Sequence, residues 1–194
     1  MTRLFAIAAL ALLSVGCMRD VTPYPSGWAP LDPHPACSAI AGTYAENVEH
    51  EHAPAHMASY YGRLGWLLSG EELAFSGPHL TLSFSQPDVL VIRADRAERR
   101  FGSQDGKANC VEGKFQVHRD YRQTPSYFVP IPSKGWVNHT IVLARSVDGW
   151  LVAEHQTTDW DFLLSFIPTY MYTVEWYRFA PVQARRDPSS ATRR

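Results

Sequence analysis

The sequence predicts an all-β domain, built as an antiparallel meander sheet or a small barrel, with one short helix after the first strand. Apolar and polar residues alternate with a period of two in short runs from residue 79 onward. Asp-Gly pairs at 105–106 and 148–149 separate apolar runs, and such pairs favour tight hairpin turns because they tolerate positive φ. Helical segments do not alternate with these runs, which argues against a parallel α/β arrangement.

The elements are predicted in order along the chain. The first strand is predicted at residues 41–47, AGTYAEN. A short helix follows, because apolar residues from Met57 to Leu68 recur at helical spacing and Gly70 stands where such a helix would end. The remaining strands are predicted at 79–85, 88–94, 98–103, 108–118, 135–146, 149–158 and 171–182.

The second Asp-Gly pair also predicts how two histidines are arranged in its hairpin. If the turn contains two residues, His155 faces Val142 and His139 faces Thr158. Positions 139 and 142 then differ in parity, which places the two histidines on opposite faces of the sheet, where they cannot share a ligand. A bulge in the turn would shift one strand by a residue and remove this separation.

An apolar stretch, FLLSFIPTYMY at residues 162–172, is too short to cross a bilayer and is interrupted by Pro168. It is predicted as a buried strand and bend. The alternative is an aromatic loop that lines a ligand cavity or touches lipid.

The N-terminus predicts export. Arg3 precedes a continuous apolar run at residues 4–13, which has the length of a signal-peptide core rather than of a membrane span. The run leads into Ser-Val-Gly-Cys at residues 14–17, which resembles the lipobox of bacterial lipoproteins. The resemblance implies cleavage before Cys17, a diacylglycerol thioether on its sulfur and an acylated amino terminus. The alternative is an ordinary signal peptide with an incidental cysteine.

The same resemblance implies a place in the cell. Several acyl chains anchor a protein stably to a membrane, whereas one chain does not. Met18 follows the cysteine, and a residue other than Asp at this position favours sorting to the outer membrane. We therefore expect a protein of the bacterial cell envelope, held by lipid at the outer membrane and facing the periplasm.

Cysteine usage predicts one disulfide. With Cys17 assigned to lipid, Cys37 and Cys110 remain as an even pair in an oxidising compartment. We expect them to be bonded to each other. The alternative, two free thiols as metal ligands, is less favoured in the periplasm.

The domain organisation follows from these assignments. Residues 1–16 are predicted as the lipoprotein signal peptide, 17–36 as the lipidated cysteine and a proline-rich linker, 37–182 as the β domain, and 183–194 as a disordered basic tail. The aromatic residues of the linker, Tyr24 and Trp28, are expected to dock on the domain, to touch the membrane surface, or to do neither.

One stretch suggests metal chemistry: EHEHAPAHM at residues 49–57. His50 and His52 alternate, so on an extended segment both point the same way, and His56 with Met57 would close a site. Imidazole with thioether suits copper, and imidazole with a carboxylate suits zinc. The alternative is a flexible polar loop without metal, and apart from copper or zinc here we expect no cofactor.

Function is predicted mainly by exclusion. The formal net charge of −1 argues against a general nucleic-acid binder. The sequence contains no Gly-x-Ser-x-Gly elbow, no His-Glu-x-x-His motif and no glycine-rich phosphate loop before a helix, so we do not expect an enzyme. We expect a non-catalytic binding or structural module whose partner is a small apolar ligand or an envelope protein. The alternative is a periplasmic copper- or zinc-binding lipoprotein.

The mature chain carries two resemblances of its own. An initial Gly-Thr-Tyr, one short helix and successive hairpins resemble small lipocalin-like meandering barrels, which implies a barrel fold. A small apolar ligand inside such a barrel is expected from the aromatic-rich strands near residues 160–179. The mature chain also resembles uncharacterised bacterial lipoproteins. The residues that carry this second likeness are Cys37, Gly42, Tyr44, Asp148, Gly149 and the sequence WYRF at residues 176–179.

Overall fold

The structure of the protein is a computed structural model that describes residues 17–33, 36–48, 62–70, 77–94, 97–102, 107–122, 135–163 and 167–182. The predicted all-β fold is confirmed, since these residues form ten strands in two sheets, one short α-helix and one 3₁₀ turn. The predicted signal peptide and the predicted basic tail lie outside the described residues.

The larger sheet has six strands: β1 (Cys17–Val21), β6 (Ala108–Val111), β7 (Lys114–Arg122), β8 (Trp136–Arg145), β9 (Leu151–Leu163) and β10 (Ile167–Phe179). Their order is β1-β10-β9-β8-β7-β6, so β6 to β10 form the predicted antiparallel meander. β1 pairs with β10 in parallel. The single strand predicted at 108–118 is in fact a hairpin, because Glu112 and Gly113 have φ values of 50° and 74° and reverse the chain.

The smaller sheet has four strands: β2 (Gly42–Ala45), β3 (His79–Gln86), β4 (Val89–Ala94) and β5 (Ala97–Phe101). They are antiparallel and follow one another in chain order. The end of β10 joins this sheet, because the Ala45 N–H donates to the Ala180 carbonyl and the Val182 N–H donates to the Thr43 carbonyl.

The two sheets do not close into the alternative barrel within the described residues. β5 and β6 are the outer strands on the open side, and no pairing between them is present there. β5 carries Glu98, Arg99 and Arg100 in succession, and charged side chains of this kind disfavour pairing of an edge strand. The fold is therefore an open meander.

Side chains fill the space between the sheets. Phe115, Leu143 and Phe179 of the larger sheet are fully buried, as are Leu90 and Ile92 of the smaller one. This continuous apolar cluster occupies the position where a lipocalin-like barrel would hold its ligand. A ligand between the sheets would have to displace this core.

The predicted disulfide between Cys37 and Cys110 is confirmed, with a Cα–Cα distance of 6.0 Å. It joins a 3₁₀ turn, Cys37–Ile40, to β6 and so ties the chain before β2 to the far edge of the larger sheet. The bond spans 73 residues of sequence.

The helix, α1 (Leu64–Ser69), ends at Gly70 as predicted, with φ of 73°. It begins at Leu64 rather than at Met57, because Arg63 is extended and forms a β-bridge with Asn47. Its leucines are fully buried in the core. Within the described ranges, no helix combines the length and apolar character that a membrane crossing requires.

Residues 17–33, expected as part of an extended linker, lie against the larger sheet. β1 pairs with β10, and beyond it Trp28 is buried on the outer face, in edge-to-face contact with Tyr24. Tyr24 also contacts Trp176, with ring centroids 5.1 Å apart. Of the alternatives for these aromatic residues, docking on the domain is the one observed, and it keeps Cys17 beside the sheet rather than at the end of a tether.

Candidate functional site

The turn between β8 and β9 contains three residues, 147–149, rather than the predicted two. The Gly149 N–H donates to the Ser146 carbonyl at 2.9 Å, and the Ser146 N–H donates to the Trp150 carbonyl at 3.0 Å. Gly149 has φ of +91°, and a three-residue hairpin turn of this type ends with a residue of positive φ. The extra residue changes the pairing of every later position in the hairpin.

The predicted separation of the two histidines is therefore wrong. His139 faces Thr157, and Ile141 faces His155, so all four side chains lie on one face of the sheet. This is the inner face, which carries the apolar core further along the same strands. The turn therefore contains the extra residue that was expected to bring the two histidines onto the same face of the sheet.

His139 and His155 are in direct contact. His139 Nδ1 lies 2.9 Å from His155 Nε2, and the two rings stack with centroids 5.0 Å apart. The Thr157 hydroxyl lies 3.3 Å from each of these nitrogens. A hydrogen bond between two imidazole nitrogens needs one donor and one acceptor, so the pair shares a single N–H.

Burial keeps the His139 ring uncharged. Burial lowers the pKa of His139 to about 3, with smaller contributions from the charges of His155 and Arg119. His139 is therefore neutral at physiological pH.

A carboxylate stands on the other side of His155. The Tyr177 hydroxyl donates to Glu175 Oε2 at 2.7 Å, and the same oxygen lies 3.7 Å from His155 Nδ1. The order of Thr157 hydroxyl, His155 imidazole and Glu175 carboxylate is that of a hydrolase triad. However, 3.7 Å exceeds a hydrogen-bond length and His155 is only 2% exposed, so a substrate does not reach its imidazole in this structure.

Arg119 and helix α1 cover the histidine pair. Arg119 faces His139 across β7 and β8. Its Nη1 donates to the Trp66 carbonyl at 2.9 Å, and its guanidinium lies 5.5 Å from the centre of the Trp66 ring. We call Arg119, His139, His155, Thr157, Glu175 and Tyr177 the polar cluster. It extends the core toward one end of the sheet, and burial and internal contacts favour a structural role.

Glu46 forms a second buried polar contact, at the start of α1. It is 2% exposed, and its Oε1 accepts a hydrogen bond from the Gly65 N–H at 3.1 Å. Arg63 Nε lies 3.7 Å from the same oxygen. Burial raises the pKa of Glu46 to about 7, although the Gly65 N–H and the Arg63 charge oppose the rise. Glu46 therefore titrates near neutral pH.

One pocket adjoins the polar cluster. It has a volume of about 550 Å³ and lies between β10 and the segment that follows β1. Its walls are residues 22–27 on one side and Glu175, Trp176 and Tyr177 on the other. Glu175 thus belongs to both the pocket and the polar cluster, and this pocket is a place where a small molecule could be bound without disturbing the core.

The predicted metal residues, His50, His52, His56 and Met57, lie outside the described residues, so the copper or zinc site stays a prediction. Across the ranges that the structure covers, no three His, Cys, Asp or Glu side chains are arranged to hold a metal ion. Cys17, the predicted lipidation residue, is exposed at the first position of β1 and forms no disulfide.

Sequence reasoning missed the polar cluster, although a signal for it was present. The inward positions of β9 are polar at alternate residues beyond Ala153, and the two inward positions of β10 that precede Tyr177 are the polar residues Glu175 and Thr173. Polar residues at alternate positions that point into the core indicate a buried hydrogen-bonded group.

In comparisons with known proteins, the chain matches no protein-family model, no curated protein and no solved structure.

Proposed function

We propose that this protein is a lipid-anchored, non-catalytic module of the bacterial cell envelope, attached to the membrane through Cys17. The observation that carries the proposal is the state of the three cysteines. Cys37 and Cys110 are bonded to each other, which leaves Cys17 as an exposed thiol at the beginning of β1. A diacylglyceryl group joined to its sulfur by a thioether would extend into open space, because the Cys17 side chain is exposed.

The disulfide supports export. Disulfides persist in oxidising compartments and are rare in the reducing cytosol. The sequence before Cys17 has the features of a lipoprotein signal, so the same chain carries a signal for export and a bond that export permits.

A binding or structural role is supported by the closed polar cluster. The histidines are buried against each other and the Thr157 hydroxyl, the Glu175 carboxylate accepts from the Tyr177 hydroxyl, and of the cluster only Glu175 and Tyr177 line the pocket. A small ligand would occupy the pocket beside residues 22–27, in place of the barrel interior predicted from the aromatic-rich strands. Mass spectrometry of a lipid extract from the purified protein tests for an apolar ligand there.

Acylation is tested by expressing the full chain in a bacterium grown with alkyne-labelled palmitate. We expect label on the wild-type polypeptide, a membrane-bound mature form that begins at Cys17, and loss of both in Cys17→Ser. Met18→Ala retains the cysteine and serves as the matched control. An unlabelled wild-type protein, or equal labelling of Cys17→Ser, would contradict the proposal. Density separation of inner and outer membranes then tests the expected outer-membrane location.

The copper or zinc alternative is tested separately. The unlipidated Cys17→Ser protein is titrated with Cu²⁺ and with Zn²⁺ by calorimetry. Binding tighter than about 10 μM that disappears when His50, His52 and His56 are replaced by alanine would favour a dedicated site over incidental histidine pairs. Weaker binding would end this alternative.

A further inference from the structure

A row of side chains runs across one end of the larger sheet. Cys17 of β1 pairs with Tyr170 of β10, Tyr170 pairs with Trp160 of β9, and Trp160 pairs with Trp136 of β8. Residues paired in this way project from the same face of a sheet. With about 4.8 Å between neighbouring strands, the row is about 14 Å long. We call these four residues the aromatic row, and Cys17 is its first member.

The tryptophans of the aromatic row are more exposed to solvent than large aromatic side chains usually are. Trp136 is 52% exposed and Trp160 is 48% exposed, and the Trp160 ring contacts Tyr170 edge to face at 4.8 Å. On the opposite face of the same end, Met18 and Met171 pair with each other and are 65% and 41% exposed. Both faces of this end therefore present large apolar side chains to the surroundings.

Tryptophans elsewhere on the outer face are more buried than those of the aromatic row. Trp28 is 8% exposed, and the Arg178 guanidinium lies between it and Trp150, 5.1 Å and 4.6 Å from the two ring centres. At that end of the sheet, neighbouring side chains pack against the indole rings. The exposed tryptophan and methionine side chains are grouped at the end that carries the aromatic row, and such a contiguous exposed apolar patch indicates a binding surface.

Rows of tryptophan and tyrosine are typical of protein surfaces at the membrane–water interface. Their rings combine an apolar body with a polar N–H or O–H, so they concentrate where lipid tails meet water. Arg19 follows Cys17 on the same outer face of β1, and its guanidinium lies 5.8 Å from the centre of the Tyr172 ring. A cation at this position can contact lipid phosphate groups while the aromatic row is inserted.

We propose that the aromatic row is a membrane-contact edge, which inserts Trp136, Trp160 and Tyr170 into the headgroup region of the bilayer that holds the Cys17 lipid. The inference rests on the proposed acylation. Lipid is favoured over another occupant because the acylated residue is itself part of the row, so acyl chains that leave Cys17 enter the bilayer beside these rings. The domain is then held with its larger sheet upright on the membrane, rather than free to rotate about a flexible tether.

The test uses tryptophan quenching by brominated lipids. The full-length protein purified from bacterial membranes is reconstituted into vesicles of phosphatidylethanolamine and phosphatidylglycerol, with bromine placed either near the headgroup or deep in the acyl chain. We expect stronger quenching by the shallow bromine in the wild type. The double variant Trp136→Ser/Trp160→Ser should lose this quenching while it stays anchored. Val147→Ser changes a residue that is 60% exposed at the opposite end of the sheet and should leave quenching unchanged.

The unlipidated Cys17→Ser protein separates the two proposals. We expect its partitioning into the same vesicles to fall about tenfold or more when Trp136 and Trp160 are both replaced by serine. Urea unfolding of each variant confirms that these exposed substitutions leave the fold intact. The acylation state of every sample is measured by mass spectrometry.

The outcomes are distinct. Acylated protein without quenching overturns the membrane-contact edge and leaves the lipid anchor standing. Unacylated protein overturns the anchor, and vesicle binding of that protein through the two tryptophans would still support the edge, whereas no binding would overturn it. A stable dimer in sedimentation that shields Trp136 and Trp160 in the absence of lipid would also overturn it, because the row would then bind a second copy of the chain.

Discussion

Glu46 gives the sharpest test of the energetics of this fold. Its carboxyl group is 2% exposed, one oxygen accepts from the Gly65 N–H, and within the described structure Oε2 has no hydrogen-bond partner. A buried carboxylate in this setting is destabilised by lost hydration, which is why its pKa rises. The variant Glu46→Gln keeps the acceptor for Gly65 and removes the charge.

The direction and size of the effect follow from proton linkage. The pKa of Glu46 rises from 4.5 in the unfolded chain to about 7 in the folded protein, so the folded state binds the proton more tightly. The resulting stabilisation is fully present below pH 4.5 and is lost as the pH rises through 7. At about 1.36 kcal/mol per pH unit, the loss amounts to about 3 kcal/mol.

The assay is urea unfolding between pH 4 and pH 8.5, followed by tryptophan fluorescence with the disulfide intact. We expect the free energy of unfolding of Glu46→Gln to gain on that of the wild type as the pH rises, by up to about 3 kcal/mol between these limits. Glu98→Gln is the control, because Glu98 lies exposed between Arg93 and Arg100, which hold its pKa below the usual range. Parallel pH profiles for the wild type and Glu46→Gln would refute the reasoning.

Three further predictions concern the disulfide, the histidine pair and the hairpin turn. Replacing Cys37 and Cys110 together by serine should lower the free energy of unfolding by about 4 kcal/mol, because the bond closes a loop of 73 residues; a urea midpoint equal to the wild type would contradict this. The lowered pKa of His139 predicts a neutral ring at pH 5, with stability lost as the pH falls from 6.5 toward 3; ring ¹⁵N chemical shifts that show an imidazolium at pH 5 would exclude it. Gly149→Ala should destabilise by about 1 kcal/mol in thermal unfolding, since φ at this position is +91°, and Gly27→Ala, with open space around it, should not.

Much of the fold could be predicted because the relevant forces act over short stretches of sequence. Period-two runs produce strands whose apolar faces must be buried, and an even pair of cysteines favours a disulfide where the compartment is oxidising. The parallel strand β1 could not be predicted in this way. Its sequence, CMRDV, carries no alternation, and its pairing depends on the free edge of β10, which lies near the other end of the chain.

The polar cluster forms because of the register between β8 and β9. The alternation of apolar residues in these two strands carries more information about that register than the Asp-Gly turn alone. Asp-Gly is compatible with turns of two or three residues. A two-residue turn would place Glu154 and Gln156 of β9 on the face that buries Ile141 and Leu143 of β8, and burying those polar groups without partners would cost several kcal/mol. A three-residue turn places Ala153 there instead, and the same shift brings His155 beside His139. The apolar parity of both strands, taken together, therefore determines the turn length, and the turn length determines that the histidines meet.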